Sequence, residues 1–404
     1  MKLKRHLSIV ILVFTVMTFP VLSGDFPDTF PTRIILNLTA TPQNSMAVTW
    51  RTDVPVKKAV AYIVESNSSV SLKAGAILIE GKSQGVPSGS EQPIGYAHSV
   101  IFSDLKPGTL YAYKVGDGDV WSEWNQFKTA QAGDEPFHFV FLGDPQNELI
   151  EYVSRIFRSA YRYASDASFW LMTGDLVTSP RDDDEWRDFY YAAGWIPGNM
   201  PMIMTPGNHE YYAPLATSSL TPLWKPQFTL PENGPASLGE SCYFIDYQGA
   251  RFISLNGNEG LETQVRWLDS LLAKTSANWT IVMMHQPLYS TAKGRDGTKH
   301  RDTFQAVFDR HHVDLVLQGH DHAYGRSYPI RNGKIAGPGE KGTVYVVSVS
   351  GPKTYEMNRE NQQFFVKMDT GKQWFQVIDV SPKQLKYVSY TVNGEIFDSF
   401  VLTK

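Results

Sequence analysis

Five hydrophobic segments of the sequence each end in side chains that could bind metal ions. In chain order, these ends are Gly143-Asp144, Gly174-Asp175, Gly207-Asn208-His209-Glu210, His285 and Gly319-His320-Asp321-His322. Ligand sites of α/β sheets form just outside the carboxyl ends of the strands, and a glycine beside Asp or Asn lets the backbone approach an ion closely. One such end would mean little, but five together predict converging carboxylate, amide and imidazole ligands.

This mixture of ligands is suited to a pair of transition-metal ions. Two ions about 3.5–4 Å apart can clamp a phosphoryl group and activate a hydroxide, and a bridging carboxylate is needed to hold two cations so close. Carboxylate and imidazole together suit Fe, Mn and Zn better than Ca or Mg. The single cysteine, Cys242, lies in a strand-like run and is interpreted as a small buried hydrophobic residue. We therefore expect two ions of Fe, Mn or Zn per chain.

The order of these residues resembles the signature of the calcineurin-like metallophosphoesterases. The whole mature chain looks like a purple acid phosphatase, most strongly in Gly207-Asn208-His209-Glu210 and in Gly319-His320-Asp321-His322-Ala323-Tyr324. The resemblance implies that Asp144 and His322 bind metal 1, that Asn208, His285 and His320 bind metal 2, and that Asp175 bridges them. It further implies a metal-bound hydroxide as the nucleophile. His209 would contact the phosphate oxygens or protonate the leaving group.

Two positions depart from the purple acid phosphatase pattern. Thr178 stands where that family has a tyrosine, three residues after the bridging aspartate. Without that phenolate we expect a protein that is not purple, in which metal 1 need not be ferric. Gln146 stands where many other metallophosphoesterases have a histidine ligand. It could bind metal 1 through its carbonyl oxygen, hold a metal-bound water, or only support the ligands.

Other charged residues have structural alternatives. The loop after His285 contains four basic side chains, Lys293, Arg295, Lys299 and His300. They could neutralise phosphate charge or form a solvated basic loop, and the solvated loop is favoured. The run Asp182 to Asp184 precedes a helical pattern and is interpreted as a helix N-cap. His98 and His138 lie in strand patterns and His311 and His312 at a helix end, and all four are interpreted as structural.

Two domains are predicted to carry these residues. Residues 25–132 contain short alternating strands separated by turn signals, which favour a β-sandwich. The segment resembles a fibronectin type III domain of the kind that precedes purple acid phosphatase catalytic domains, with Trp50, Tyr111 and Tyr113 as inward anchors. Residues 133–404 alternate apolar strands with helical patterns and predict a four-layer α/β/β/α sandwich. A final alternating stretch with an Asn393-Gly394 turn adds strands to this second domain.

The N-terminus predicts export. A basic start with Lys2, Lys4 and Arg5 is followed by an apolar run from Leu7 to Met17 and small residues near Gly24. This pattern is typical of a signal peptide over residues 1–24, with a single membrane anchor as the alternative. We expect a secreted or periplasmic protein without a stable membrane span after cleavage. The net charge of −4 gives no patch for nucleic acid.

We therefore expect an acid phosphatase-like hydrolase of a small phosphorylated substrate. A phosphodiesterase or nucleotide-directed hydrolase is the alternative within enzymes, because pocket walls rather than metal ligands separate monoesters from diesters. A secreted binding protein with a degenerate catalytic domain is the alternative outside enzymes. The complete set of strand-end ligands argues against it.

Overall fold

The part of the chain before residue 129 folds as two facing β-sheets. The computed structural model describes residues 26–212 and 219–404, so the predicted signal peptide, residues 1–24, lies outside the described residues. The strands are β1 (Thr32–Leu38), β2 (Met46–Thr52), β3 (Val60–Glu65), β4 (Ile77–Glu80), β5 (Lys82–Gly85), β6 (Tyr96–Phe102), β7 (Leu110–Gly116) and β8 (Asn125–Lys128). Trp50, Tyr111 and Tyr113 are buried in the hydrophobic core, as predicted.

The rest of the chain alternates strands and helices. Its helices are α1 (Ser154–Tyr163), which continues a π-helical turn (Leu149–Val153), α2 (Asp183–Ala193), α3 (Ile196–Asn199), α4 (Trp224–Gln227), α5 (Leu261–Leu272) and α6 (Thr298–His311), with 3-10 turns at Asn208–Glu210, Ala236–Leu238 and Gln362–Phe364. Its strands are β9 (Phe137–Leu142), β10 (Trp170–Met172), β11 (Met202–Met204), β12 (Tyr211–Tyr212), β13 (Ser219–Leu220), β14 (Tyr243–Tyr247), β15 (Ala250–Leu255), β16 (Trp279–Met284), β17 (Leu315–Gln318), β18 (Tyr324–Ser327), β19 (Ile330–Arg331), β20 (Lys334–Ile335), β21 (Val344–Val347), β22 (Phe365–Asp369), β23 (Trp374–Val380), β24 (Gln384–Thr391) and β25 (Ile396–Thr403).

Two large sheets pack face to face and form the predicted four layers. One has the order β25-β24-β23-β9-β10-β11-β1-β2-β6-β5, and the other has the order β14-β15-β16-β17-β21-β18-β22. Phe139 of β9 and Phe169, the residue before β10, meet Phe252 of β15 edge to face, with ring centroids 5.2 and 5.1 Å apart. Helices α5 and α6 cover the outer face of the second sheet. On the outside of the first sheet, Phe157 of α1 stacks on Trp170. The fold class predicted from the sequence is confirmed.

The first sheet runs without a break from the C-terminal hairpin into the N-terminal sandwich. Strand β1 pairs with β2 on one side and lies parallel to β11 on the other, where Asn37 is opposite Met202. The alternation in β1 predicts one buried face, but residues Ile35 to Leu38 are all buried. The segment after α4 covers the face that carries Asn37, where the Thr229 amide donates to Asn37 Oδ1 at 3.0 Å. The predicted domain boundary after residue 132 lies in the segment between β8 and β9. It remains a prediction.

An ion cluster also ties the sandwich to the second part of the chain. Asp183, the first residue of α2, accepts hydrogen bonds from Arg33 of β1 at 2.8 and 3.0 Å and pairs with Arg51 of β2. Burial opposes ionisation of Asp183, but the two guanidinium groups lower its pKa below the usual value. Asp182 caps the helix by accepting from the Asp184 amide at 2.9 Å, as predicted for this acidic run.

Candidate metal centre

The carboxyl ends of the five strands converge at one end of the two packed sheets. Strands β9, β10 and β11 are parallel neighbours in the first sheet, and β16 and β17 are parallel neighbours in the second. Their carboxyl ends therefore lie together and carry all six side chains predicted to bind metal, which are Asp144, Asp175, Asn208, His285, His320 and His322. Asp144, Asp175 and His285 are fully or almost fully buried.

One group of donors surrounds the imidazole of His285. Its Nε2 lies 3.1 Å from Asp175 Oδ2, 3.1 Å from Asn208 Oδ1 and 3.1 Å from His320 Nδ1. Its Nδ1 lies 2.7 Å from the Thr173 carbonyl. Because that oxygen can only accept, Nδ1 carries the proton and the lone pair of Nε2 faces the group when the ring is neutral. These are the residues predicted to hold metal 2.

A second group consists of Asp144, Asp175 and His322, whose donor atoms all lie within 4.8 Å of one another. Asp175 belongs to both groups. A carboxylate shared in this way is what a bridge between two cations requires.

The spacing of the donors fits metal ions. Ligands about 2.1 Å from an ion stand about 3 Å apart when they are neighbours in its shell, and the three contacts of His285 Nε2 have this length. Buried metal-binding atoms that have no hydrogen-bond partner in the protein point to the same conclusion. Asp144 Oδ1 and His322 Nδ1 accept no hydrogen bond although they are buried. Buried polar atoms are almost always paired, so these two atoms are available to an ion or its water.

The backbone around the centre is strained. Asp144, Asp175, His320 and His322 all have positive φ angles, between 43° and 74°. Such angles are uncommon outside glycine, and they cluster at sites where function imposes the geometry. The neighbouring glycines are needed as well. A Cβ on Gly319 would lie 2.1 Å from Asp144 Oδ2, and one on Gly207 would lie 2.1 Å from Asp175 Oδ1.

The charges of these side chains show the same demand for cations. Burial raises the pKa of Asp144 far above its usual value. Burial also opposes protonation of His285, but Asp175 and Asp144 raise its pKa to about 10. Burial lowers the pKa of His320 to about 2, helped by the charges on His285 and Arg295, and that of His322 to about 3. Two imidazoles are thus neutral and able to bind metal.

Glu210 was not predicted from the sequence, although it belongs to the quoted Gly207-Asn208-His209-Glu210 run. Its fully buried carboxylate accepts from three backbone amides, those of Asp175, Leu176 and Gly207, at 2.7–2.8 Å. Burial raises its pKa to about 7, and Asp175 adds to the effect. Glu210 fixes the loops that carry Asp175 and Asn208. The signal available in the sequence was an acidic residue inside a ligand motif to which no ligand role had been assigned.

His209 stands at the opening of the site. Its amide donates to Asp175 Oδ1 at 2.8 Å, and its Nδ1 lies 2.7 Å from the Thr178 carbonyl. The Thr178 side chain accepts from Asn147 at 3.0 Å. The backbone carbonyl of Thr178 therefore orients the His209 ring, and the Thr178 hydroxyl bonds to Asn147.

Of the four basic residues in the loop after β16, Arg295 reaches the centre. One of its guanidinium nitrogens, Nη2, lies 2.6 Å from His320 Nε2, and the group stacks on Tyr355 with 4.8 Å to the ring centroid. Lys293 pairs with Glu356, and His300 bonds to the Gly257 carbonyl. The preference for a solvated basic loop was therefore wrong for Arg295. Lys353, which was not predicted, lies 5.3 Å from the Tyr355 centroid.

A four-layer α/β/β/α sandwich with two clusters of Asp, His and Asn donors at its strand ends defines a metal-dependent phosphoester hydrolase. Comparison with known families agrees. Residues 31–129 match the purple acid phosphatase N-terminal domain, and residues 137–324 match the calcineurin-like phosphoesterases. The chain is a purple acid phosphatase-like metallophosphoesterase.

Relatives and solved structures agree with this assignment. Human acid phosphatase type 7 is 27% identical over 344 residues, which cover 76% of this chain and 73% of that protein. The Fe(3+)-Zn(2+) purple acid phosphatase 12 of Arabidopsis thaliana is 28% identical over 256 residues, which cover 59% of this chain and 54% of that protein. A purple acid phosphatase from yellow lupin seeds superposes with a TM-score of 0.80 at 19% identity and covers 93% of this chain and 74% of the lupin chain. Among the described helices, none has the length and hydropathy needed to cross a bilayer.

Proposed function

We propose that the chain is an exported phosphomonoesterase whose metal 1 is held by Asp144 and His322, whose metal 2 is held by Asn208, His285 and His320, and whose two metals are bridged by Asp175. The observation that carries this proposal is the membership of Asp175 in both donor groups. When bound, the two ions neutralise phosphate charge and activate water. The export part rests on the N-terminal pattern of residues 1–24 alone.

Gln146 is proposed as a further ligand of metal 1. Its amide nitrogen lies 3.1 Å from Asp175 Oδ2 and 3.1 Å from His322 Nε2, and its buried oxygen has no partner. Rotation of the amide by 180° presents oxygen in place of nitrogen without moving the rest of the side chain. Because Gln146 is neutral and Thr178 replaces the tyrosine that would supply a phenolate, metal 1 has few anionic ligands, which favours a divalent ion.

His209 is proposed as the residue that handles the leaving group. The Thr178 carbonyl fixes the proton on Nδ1, so Nε2 is free to face the substrate. In the protonated ring, Nε2 can donate to a phosphate oxygen or to the departing alkoxide. The backbone bond to Asp175 keeps this imidazole beside the bridging carboxylate.

Metal content and hydrolysis, measured on the same preparations, test the metal assignment. We expect about two Fe, Mn or Zn ions per wild-type chain and hydrolysis of an aryl phosphate. Asp175→Asn removes the bridging charge, so both metal content and hydrolysis fall. Asp309→Asn is the matched control, because Asp309 is also a buried carboxylate but lies on α6 and accepts from Asn332. Retention of both ions by Asp175→Asn would overturn the bridging role.

The ratio of activities on an aryl phosphate and a bis-aryl phosphate tests the monoester assignment. A higher kcat/KM for the monoester supports it. A preference for the diester would replace the phosphomonoesterase with the phosphodiesterase alternative and leave the metal ligands unaffected.

A further inference from the structure

A row of large side chains crosses the outer face of the sheet formed by β4, β3, β7 and β8. The strand register places Leu78 beside Tyr62, and Tyr62 beside Lys114. Trp124, the residue before β8, follows next to Lys114. Adjacent residues of a strand point to opposite faces, and Ile63, which follows Tyr62, packs in the hydrophobic core. The row therefore lies on the face of the sheet that is turned away from the core.

The aromatic rings on this face are not covered by the rest of the protein. Leu78 is 51% exposed, and Tyr62, Trp121 and Trp124 are each partly exposed. Trp121, from the loop between β7 and β8, stacks on Tyr62 with 4.7 Å between the ring centroids. Exposed apolar side chains that are grouped in this way mark interaction sites. We call Leu78, Tyr62, Lys114, Trp121 and Trp124 the aromatic face.

The loop that carries Trp121 is ordered by its own hydrogen bonds. Asp117 Oδ1 accepts from the Asp119 and Val120 amides at 2.9 and 2.7 Å. The indole nitrogen of Trp121 donates to the Gly118 carbonyl at 3.0 Å. The ring is thus held in place before a ligand arrives, which reduces the ordering cost of binding.

Two lysines give the aromatic face a positive charge. The ammonium of Lys114 lies 4.7 Å from the ring centroid of Trp121 and 5.2 Å from that of Trp124. The ammonium of Lys73 lies 5.4 Å from the ring centroid of Tyr62. Among the described residues, neither lysine has a carboxylate oxygen within 4.0 Å of its ammonium nitrogen. Burial lowers the pKa of Lys114, and the charge of Lys73 adds to the effect. An anion that contacted both ammonium groups would offset this repulsion.

The shape and charge of this surface favour an extended anionic ligand with rings that pack on aromatic side chains. Four neighbouring positions about 4.8 Å apart span roughly 14 Å, and they lie across a sheet, whereas small molecules bind in concave pockets. The apolar face of a sugar ring can pack on Tyr and Trp rings, and a carboxylate accepts strong hydrogen bonds from an ammonium group. We propose that the aromatic face and Lys73 bind an acidic polysaccharide, whose carboxylates contact the two lysines and whose sugar rings pack on the three aromatic side chains.

The charge of the chain separates this ligand from a nucleic acid. The bases of a single strand also stack on aromatic rings, but nucleic-acid affinity depends on many contacts between cations and phosphates. The surface offers two lysines on a chain with a net charge of −4. The proposal is independent of the phosphoesterase activity, because the aromatic face contains none of the candidate metal ligands.

Affinity electrophoresis of the full chain in native gels tests the proposal. The gels contain polygalacturonate, neutral dextran or polythymidylate at neutral pH and low ionic strength, and polygalacturonate alone is expected to retard the wild type. Trp124→Ala and the double variant Lys73→Met plus Lys114→Met should each raise the apparent Kd for polygalacturonate by roughly tenfold or more, because a stacked ring or both charge-assisted bonds are lost. Lys128→Met, in an exposed residue of β8, is the matched control and keeps the wild-type Kd.

Urea denaturation of each variant checks that the sandwich still folds. Lys73→Met alone changes an exposed residue of the 3-10 turn Leu72–Gly75, so the rings stay in place, and it should still raise the Kd severalfold. Equal binding of dextran would overturn the acidic class, and tighter binding of polythymidylate would replace the polysaccharide by a nucleic acid. Unchanged binding in the variants would show that Lys114 only covers the rings. Any of these results, or no binding of polygalacturonate, overturns the proposal and leaves the phosphoesterase standing.

Discussion

The cluster of Asp183 with Arg33 and Arg51 gives a quantitative prediction about stability. Asp183→Asn removes the carboxylate that both guanidinium groups share, and the side chains of Arg33 and Arg51 are only 12% and 6% exposed. An amide oxygen can still accept one bond, but it cannot balance two buried cations. Leaving buried charges unpaired costs about 3–5 kcal/mol. Because the remaining oxygen recovers part of this cost, we expect the free energy of unfolding to fall by about 3 kcal/mol.

Urea denaturation at neutral pH measures this loss, and Asp184→Asn provides a close control. Asp184 also lies in the first turn of α2, so both substitutions weaken the interaction with the helix dipole. Its carboxylate is 75% exposed and pairs with Arg187, which is 59% exposed. Exposed pairs contribute about 0–1 kcal/mol, so this variant should lie close to wild type.

The pH dependence provides a second check. Because the pKa of Asp183 is lowered in the folded state, its stabilising contribution is present above the pKa of an unfolded aspartate, about 3.9, and is lost as the pH falls through the lower folded value. The difference between wild type and Asp183→Asn should therefore shrink in acid. If Asp183→Asn is as stable as Asp184→Asn at neutral pH, the cluster does not join the two parts of the chain energetically.

Three further outcomes follow from single residues. Burial lowers the pKa of His98 to about 4, so acid favours the unfolded state, in which this imidazole is protonated. Between about pH 6.5 and 4, the contribution of His98 to the free energy of unfolding falls by at most about 3 kcal/mol. Urea titrations should therefore show a smaller loss of stability in acid for His98→Gln than for wild type. Iron-loaded protein should lack an intense visible absorption band, because Thr178 stands at the tyrosine position, and a strong band would identify another phenolate ligand. Glu210→Ala frees three buried amides and should reduce the metal content measured by elemental analysis; full occupancy would show that the loops hold their shape without it.

The sequence predicted the fold class because its strongest signals are local. The apolar run of β9 and the helical patterns of α5 and α6 are contiguous in the chain, and the structure contains each of them. The candidate ligands could be named because they follow apolar segments directly. Their position at one edge then follows from the parallel order of the strands.

What the sequence did not reveal depends on contacts between distant residues. Burial of β1 on both faces requires the segment after α4, whose Thr229 is 192 positions away from its partner Asn37. Lys353 is separated from Arg295 by helix α6 and the five strands β17 to β21, and no periodicity links the two. Glu210 has no neighbour in sequence that reveals its three amide partners.

The position of β9 in the long sheet has a consequence for how the chain matures. This central strand pairs with β10, about one helix further on, and with β23, where Phe137 is opposite Val380. Contacts so distant in sequence make folding slow. Until strands β23 to β25 have been made, one edge of β9 is unpaired. One edge of β1 is likewise unpaired until β11 has been made. The unfinished chain therefore stays incompletely paired until almost all of it has been made, and its open strand edges expose the nascent protein to aggregation during that time.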